Sequence, residues 1–198
     1  TKGENTLTYT ISFAPAIQSF DFTTATEEEL KNAWAVLREN ADAWTLDENG
    51  LTISMEPGDN WQAVNTAKNM FYQAAPGDWE VETEIVLERV PSESYQQVVL
   101  MAYSDDDNYV KVVYQGTSGG RANVGLKYET GGTFSDNPNI SQNVDTTSIW
   151  LRLKKTGNSY TGAYSTDGET FHELDTQAVN LRNVKVVVTA NKGSNYST

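Results

Sequence analysis

The sequence contains no cysteine and only one histidine, His172. Without thiols, no disulfide framework can form, and a metal site built from His and Cys ligands lacks the residues it needs. A Ser–His–Asp triad would depend on His172, with Ser165 and Asp175 close to it in sequence only. We expect His172 to lie on the surface instead.

Basic residues are also scarce, with 14 Lys and Arg against 27 Asp and Glu and a formal net charge of −13. Nucleic acids and anionic membranes are bound by clustered cations, so this balance argues against both partners. No apolar run approaches the length of a membrane span or a signal peptide, and membrane insertion is not expected. Because the chain starts at Thr1, we expect a processed protein or a segment of a longer one.

Aromatic residues, by contrast, are abundant, with 5 Trp and 10 Tyr among 198 residues. Sugar-binding proteins use such rings because an aromatic face covers the apolar C–H patches of a pyranose. The alternative is that the rings fill strand faces and a core, as aromatic side chains do in most sheets.

Short stretches of alternating apolar and polar residues recur along the chain and end at turn-forming residues. The clearest pair flanks the acidic turn SDDDN at 104–108, and Asn49-Gly50 is a strong hairpin signal. Only the segment after Thr24 suggests a helix, one or two turns long, with Thr24 and Glu27 at capping-box spacing. The predicted strands are 7–13, 34–38, 44–46, 51–53, 69–75, 79–90, 95–103, 109–116, 122–129, 149–155, 159–165, 169–174 and 184–190.

This pattern predicts an all-β fold, an antiparallel two-sheet β-sandwich or jelly roll with at most one short helix. At 198 residues the whole chain, 1–198, is expected to form a single domain. The segment 131–147 shows no pattern and is predicted to be a long loop, and the stretch around Trp61 a shorter one.

A set of segments along the chain has a characteristic order and spacing: FDF at 20–22, WAVLREN at 34–40, WTL at 44–46, Gly50-Leu51, NMFYQ at 69–73, YQQVVLMAYSDDDNYVK at 95–111, WLRLKK at 150–155 and AYSTDGETF at 163–171. Together they resemble the concanavalin A-like lectin/glucanase superfamily. They are similar above all to the sandwich domains appended to bacterial β-xylosidases and arabinofuranosidases of glycoside hydrolase family 43, and to stand-alone relatives. The resemblance covers residues 18–190 and leaves 1–17 as an N-terminal strand and linker.

The resemblance implies a jelly roll with a concave and a convex face, often stabilised by calcium. It also implies a non-catalytic carbohydrate-binding or accessory module of a secreted bacterial polysaccharide-degrading enzyme. The expected partners are a polysaccharide or oligosaccharide and neighbouring domains of the same polypeptide, and the expected location is extracellular or cell-surface. Such domains usually close with one further strand after the last one seen here. Either that strand has been cut away, or residues 7–13 take its edge; we expect the second, because an uncovered central edge would invite aggregation.

Strand alternation places polar and aromatic side chains on shared faces. For example, Leu151 and Leu153 should be core, which puts Trp150 and Arg152 on the opposite face. If these faces coincide on the concave sheet, they form a groove suited to sugar hydroxyl groups; the alternative is an ordinary solvated face. The candidate ligand-binding residues are Asn69, Gln73, Gln97, Tyr103, Tyr109, Lys111, Trp150 and Arg152.

Three carboxylates alternate along one predicted strand, at Glu80, Glu82 and Glu84. Neighbours on one strand face lie about 7 Å apart, whereas retaining glycosidases hold two carboxyl groups about 5–5.5 Å apart. Laminarinase-like glucanases of the same superfamily carry a Glu-x-Asp-x-x-Glu strand, from which this spacing departs. A glycoside hydrolase using Glu80 and Glu84 is therefore one alternative function, and a purely structural or adhesive module is another.

The acidic turn offers a possible source of calcium ligands, because calcium takes six to eight oxygen atoms. Asp105 and Asp107 are the candidate ligands there, and the family resemblance adds Asp21 as a candidate for a structural ion. The turn lacks the spacing of an EF-hand, and an acidic hairpin turn without calcium explains it equally well.

Overall fold

The computed structural model describes residues 17, 19–135 and 141–193, and within them one α-helix, one short 3-10 helix (Ala41–Ala43) and sixteen strands. The α-helix is α1 (Glu27–Ala33), and it is too short to cross a membrane, as is any helical stretch in these ranges. The strands are β1 (Ala35–Leu37), β2 (Trp44–Asp47), β3 (Gly50–Ile53), β4 (Asn60–Trp61), β5 (Val64–Asn65), β6 (Met70–Ala74), β7 (Trp79–Val86), β8 (Gln97–Asp105), β9 (Asn108–Gly116), β10 (Ala122–Thr130), β11 (Thr133–Ser135), β12 (Ser141–Asn143), β13 (Ser148–Thr156), β14 (Ser159–Ser165), β15 (His172–Ala178) and β16 (Lys185–Asn191).

The helix begins two residues later than the sequence predicts. Thr26, not Thr24, is the N-cap, and it forms a capping box with Glu29. The Asp21 carboxylate accepts hydrogen bonds from the backbone N–H and hydroxyl of Thr23. This Asx turn occupies the chain before the helix, so helical geometry starts only after Thr26.

The strands form two packed antiparallel sheets. The large sheet has the order β1-β6-β16-β8-β9-β10-β11, with β12 also pairing with β10, and the small sheet has the order β15-β14-β13-β7. The pairs β2-β3 and β4-β5 are separate hairpins. The predicted all-β sandwich is confirmed.

The main core lies between the two sheets and consists of every second residue of their inner strands. Val112 and Leu126 of the large sheet face Leu151, Leu153 and their neighbours in the small one, and all four are buried. Burying an aliphatic side chain of this kind stabilises the fold by about 1.5–3 kcal/mol, so this layer supplies the largest favourable contribution.

The large sheet also buries much of its other face, which points away from the small sheet and is called here the distal face. Val99, Met101, Val113 and Val187 form a second hydrophobic cluster there. Ala67, from the segment 56–69, packs on the same cluster. The large sheet is therefore covered on both faces over its central strands, which explains the nearly continuous apolar sequence of β8 and β9.

Each strand predicted within the described residues overlaps an observed strand, but the one predicted for 169–174 is displaced to His172–Ala178, and three further details differ. The segment 131–147 is not a plain loop, because β11 and β12 add to the edge of the large sheet. The strand predicted for 79–90 ends at Val86. The predicted loop around Trp61 holds the small hairpin β4-β5. The strand predicted for 7–13 lies outside the described residues, so its edge role stays a prediction.

Candidate functional site

A buried lysine organises the centre of the distal face. The Lys111 side chain is only 4% exposed, and its Nζ donates to the carbonyl oxygen of Asn60 (3.1 Å) and to Gln97 Oε1 (3.3 Å). The Asp59 carboxylate lies 4.0 Å from the same nitrogen and accepts a hydrogen bond from Gln97 Nε2. Burial lowers the pKa of Lys111, and the negative charge of Asp59 opposes that shift.

A tyrosine and a glutamate extend this network toward β10. The Tyr109 hydroxyl lies 2.7 Å from the carbonyl oxygen of Asn60 and 2.9 Å from Glu129 Oε2. The backbone N–H of Gln62, at the tip of the β4-β5 hairpin, donates to the same Glu129 oxygen at 2.9 Å. Burial raises the pKa of Tyr109, and the adjacent Glu129 raises it further. Glu129 thereby attaches the hairpin tip to the sheet.

Asp106 attaches residues 56–69, called here the covering segment, to the distal face at a second place. Its two oxygens accept a bidentate pair of hydrogen bonds from Arg38, each 3.0 Å long. The Tyr103 hydroxyl (2.9 Å) and Asn60 Nδ2 (2.8 Å) donate to the same carboxylate. Arg38 Nε also donates to the carbonyl oxygen of Ala67, so this pair holds both ends of the segment against the sheet.

Beside this network, the hairpin tip carries an accessible aromatic side chain. Trp61 is 42% exposed, and its ring centroid lies 6.4 Å from that of Phe134 at 70°. Lys127 Nζ lies 5.8 Å from the Phe134 centroid. Phe134 pairs across the strands with Glu129, and Lys127 with Lys111, so both lie on the distal face. Trp61, Lys127 and Phe134 are called here the aromatic patch.

Unpartnered oxygen atoms lie in the elements that carry this patch. Among the described residues, four of the six buried side-chain oxygens without a hydrogen-bond partner belong to Asn60 and Asn65 of the hairpin and to Asn123 and Glu129 of β10. Buried acceptors without donors are unfavourable. Because protein atoms enclose these oxygens, they do not by themselves indicate a ligand at the patch.

The structure places four of the predicted ligand-binding residues together. Gln97, Tyr103, Tyr109 and Lys111 share the distal face, as strand alternation requires. All four are nevertheless buried, because residues 56–69 cover them, so the expectation of an open groove at these side chains is wrong. Their polar groups bind the covering segment, and their direct contact with a ligand stays a prediction.

The other four predicted ligand residues do not join that face as one groove. Gln73 pairs with Val186 of the main core, so it lies on the face opposite to Lys111. Trp150 and Arg152 belong to the small sheet and face outward. The expectation of one shared groove is therefore wrong for Gln73, Trp150 and Arg152. Asn69 is buried, and its Oδ1 accepts a hydrogen bond from the backbone N–H of Asn40 at 2.7 Å, which is a structural contact.

The three alternating glutamates lie on the outer face of the small sheet. Arg152 contacts Glu82 at 2.7 Å and Glu80 at 3.7 Å, and Lys154 contacts Glu80 at 3.7 Å. Glu84 pairs across the strands with Trp150. Opposite charges on neighbouring strands stabilise a sheet, so this arrangement favours a structural role for the carboxylates over hydrolysis.

The predicted calcium ligands do not form one shell. Asp21 is engaged by Thr23, and Asp105 Oδ1 accepts hydrogen bonds from the Asp107 N–H (3.0 Å) and from Asn108 Nδ2 (2.7 Å). Over the described ranges, no three acidic or histidine side chains come together in a way that could hold a metal ion. The donor set therefore fits calcium poorly, and calcium binding stays a prediction.

Among the described residues, no hydrogen bond joins the single histidine, His172, to a serine or an aspartate. His172 is exposed, as expected, and its ring lies 5.3 Å from that of Tyr164. The Ser165 hydroxyl donates to Asp167 within its own turn.

The fold defines the class of protein. The structure is similar to the GH43 protein BlXynB from Bacillus licheniformis, with a TM-score of 0.72, 17% identity, and coverage of 87% of this chain and 35% of that one. It is also similar to a xylan β-1,4-xylosidase from Bacillus halodurans C-125, with a TM-score of 0.69, 14% identity, and coverage of 96% and 38%. The chain spans about a third of the length of these proteins.

A third similar structure is a functionally unknown protein from Saccharomyces cerevisiae, with a TM-score of 0.62 and 14% identity, covering 80% of this chain and 86% of that one. These likenesses confirm the concanavalin A-like sandwich. The model of the family described as "Protein of unknown function (DUF1349)" matches residues 36–195, and the chain belongs to that family. No curated protein matches the sequence.

Sequence reasoning missed Trp61, Lys127, Phe134 and Glu129 as functional candidates. Trp61 and Phe134 lie in segments without strand alternation. Glu129 lies at the end of the strand predicted for 122–129, and the sequence analysis did not assign the two faces of that strand to the core or to the ligand side. One signal was available for Trp61, namely a tryptophan within a loop rich in Pro, Gly and Asp.

Proposed function

We propose that this chain is a non-catalytic carbohydrate-binding or accessory module of a secreted bacterial polysaccharide-degrading protein. Its glycan contacts the aromatic patch on the distal face. The observation that carries the proposal is the exposed Trp61, beside Phe134 and Lys127.

The chemistry of the patch suits a neutral sugar. An accessible indole ring offers an apolar surface for the C–H face of a pyranose, and Lys127 offers donors for its oxygens. The network of Asp106 and Glu129 holds the hairpin in place before a ligand arrives, which limits the entropy lost on binding.

The comparisons support an accessory role. Two of the similar proteins are a GH43 protein and a xylan β-1,4-xylosidase, and this chain corresponds to only about a third of each. We infer that other domains of the same polypeptide carry the catalysis and that the protein acts outside the cell or at its surface.

The proposal predicts that Trp61→Ala abolishes or greatly weakens binding to the cognate glycan. Losing a stacked aromatic ring worth about 1.4 kcal/mol would reduce affinity about tenfold. Affinity electrophoresis against xylans, arabinans, fructans and β-glucans measures retention of the wild type and the variant. Trp150→Ala is the matched control, because Trp150 lies on the outer face of the small sheet and its replacement should leave retention unchanged.

Other outcomes would contradict this assignment. Equal retention of the wild type and Trp61→Ala would show that the glycan does not bind at the aromatic patch. Release of reducing ends that Glu80→Gln abolishes would indicate a hydrolase instead. If no glycan retains the wild type, a structural or adhesive module becomes the better interpretation.

A further inference from the structure

A polar cavity lies at one end of the large sheet, where the turn after β8 meets the loop between β15 and β16. It has a volume of about 390 Å³, and all seven of its lining residues are polar or charged. Two of them, Arg182 and Lys185, are cations; most of the others are asparagines, among them Asn108 and Asn183. A volume of this size lies within the usual range for ligand pockets.

The walls of the cavity are joined to one another by hydrogen bonds. The Ser104 hydroxyl donates to the carbonyl oxygen of Arg182 at 2.7 Å, and Lys185 Nζ donates to the carbonyl oxygen of Ser104 at 3.3 Å. Asn183 has a φ of 49°, a left-handed conformation that asparagine tolerates better than most residues. The turn and the loop are thus connected directly, so the cavity shape is defined by the fold itself.

Arg182 and Lys185 have no carboxylate partner in the described part of the chain. Within the residues that the structure describes, no acidic side chain forms a salt bridge with Arg182 or Lys185, although the chain carries a net charge of −13. The Lys185 ammonium instead lies 5.5 Å from the ring centroid of Tyr103. The one carboxylate in the lining, Asp105, accepts two hydrogen bonds inside its own turn. A local positive site is therefore left for an external anion.

We propose that this cavity binds a hexuronic acid residue of an acidic polysaccharide. The Arg182 guanidinium matches a carboxylate with two parallel hydrogen bonds, and Lys185 adds a second positive charge. The Asn180 and Asn183 amides, and the Ser104 hydroxyl oxygen as an acceptor, match the hydroxyl groups of the same sugar, a requirement that a bare inorganic anion does not have. The proposal depends on the proposed function only in taking a glycan as the ligand.

The cavity and the aromatic patch are separate sites. Lys185, Tyr103, Tyr109, Glu129 and Phe134 lie opposite one another on five successive strands. Four strand spacings separate the first from the last, about 19 Å in all. The buried network around Asp106 lies between them, so a substitution at one site does not touch the other.

Isothermal titration calorimetry with tri-galacturonate tests the proposal. The wild type should bind this probe, and Arg182→Ala should weaken binding about tenfold or more, since a charge-assisted bidentate contact is lost. Arg89→Ala is the matched control, because Arg89 is an exposed arginine outside the cavity lining. Its replacement should leave the affinity unchanged. A neutral xylotriose probe should show no dependence on Arg182.

Three results would overturn the inference: no binding of tri-galacturonate by the wild type, equal loss in Arg89→Ala, or inorganic phosphate binding as tightly as the uronate. Loss of uronate binding in Trp61→Ala would also overturn it, because that result would show that the uronate binds at the aromatic patch. These failures are distinct from failure of the proposed function, which is measured by neutral-glycan retention and its loss in Trp61→Ala.

Discussion

Asp105, Asp106 and Asp107 follow one another in the turn between β8 and β9, yet their side chains do different things. Asp105 shapes the turn itself through the N–H of Asp107. Asp106 reaches back over the distal face and binds Arg38 and Tyr103, among others. The identical chemistry of the three residues gave no means of separating them by sequence. The difference arises from which way the turn directs each side chain.

Asp106→Ala should lower the free energy of unfolding by about 2–3 kcal/mol, because it leaves a partly buried arginine and two further donors without their acceptor. Asp107 is exposed, so Asp107→Ala should change it by no more than about 0.5 kcal/mol. Urea denaturation of the three proteins measures both values. Equal effects of the two substitutions would show that the Asp106 network contributes little.

The contribution of Asp106 should also depend on pH. Burial alone raises the pKa of Asp106, but the hydrogen bonds from Arg38 and Tyr103 outweigh it, and the net pKa lies below the usual 3.8. A carboxyl group with a depressed folded-state pKa stabilises the protein above its unfolded pKa and loses that effect as pH falls through the folded value. The stability difference between the wild type and Asp106→Ala should therefore be largest near neutral pH and shrink below 3.8. A difference that grows on acidification would contradict this sign.

At the scale of elements, the strands with long alternating or apolar stretches were predictable, and the shortest ones were not. The hairpin β8-β9 has nine residues in each strand, enough for the pattern to be unambiguous. The strands of β4-β5 have two residues each, and β11 and β12 have three. A period of two cannot be detected in so few residues. β11 and β12 form because they pair with β10 of the large sheet, and β4 and β5 form because they pair with each other within the covering segment.

The start of α1 gives a direct test at this scale. Thr26→Ala should lower the free energy of unfolding by about 1 kcal/mol, because the capping box with Glu29 is lost. Thr24→Ala removes the residue that the sequence pattern favoured, and it should cost only a few tenths of a kcal/mol. Thermal unfolding followed by circular dichroism compares the two variants. A larger effect for Thr24→Ala would place the helix start where the sequence predicted it.

For the whole molecule, the distance between the two sheets is limited at a glycine of β14. A Cβ atom built on Gly162 would lie 2.8 Å from Leu126 Cδ1 and 3.0 Å from Val112 Cγ2. Both contacts are with side chains of the large sheet; the first is closer than Cβ atoms approach other atoms in proteins, and the second is tighter than most such contacts. The absent side chain is therefore what permits the two sheets to pack this closely here.

Gly162→Ala should destabilise the sandwich by about 1–3 kcal/mol, because the extra methyl group forces Leu126 or Val112 out of its packed position. Gly119→Ala is the control, since the nearest atom to its built Cβ is 3.9 Å away and its φ is not positive. Chemical denaturation of both variants measures the difference. If both substitutions had the same small effect, the sheets would have room that the structure does not show.

The all-β class, most strand positions and the shared face of Gln97, Tyr103, Tyr109 and Lys111 could be predicted from the sequence. These properties follow from the period of two along each strand, which is a local rule. The sequence did not predict that residues 56–69 cover this face, or that Trp150 and Arg152 lie on the other sheet. Nor did it predict the contact between Trp61 and Phe134, or the cavity that Arg182 and Lys185 line together. Contacts between segments distant in sequence depend on strand order and on the path of the connecting chain, and local alternation carries no information about either.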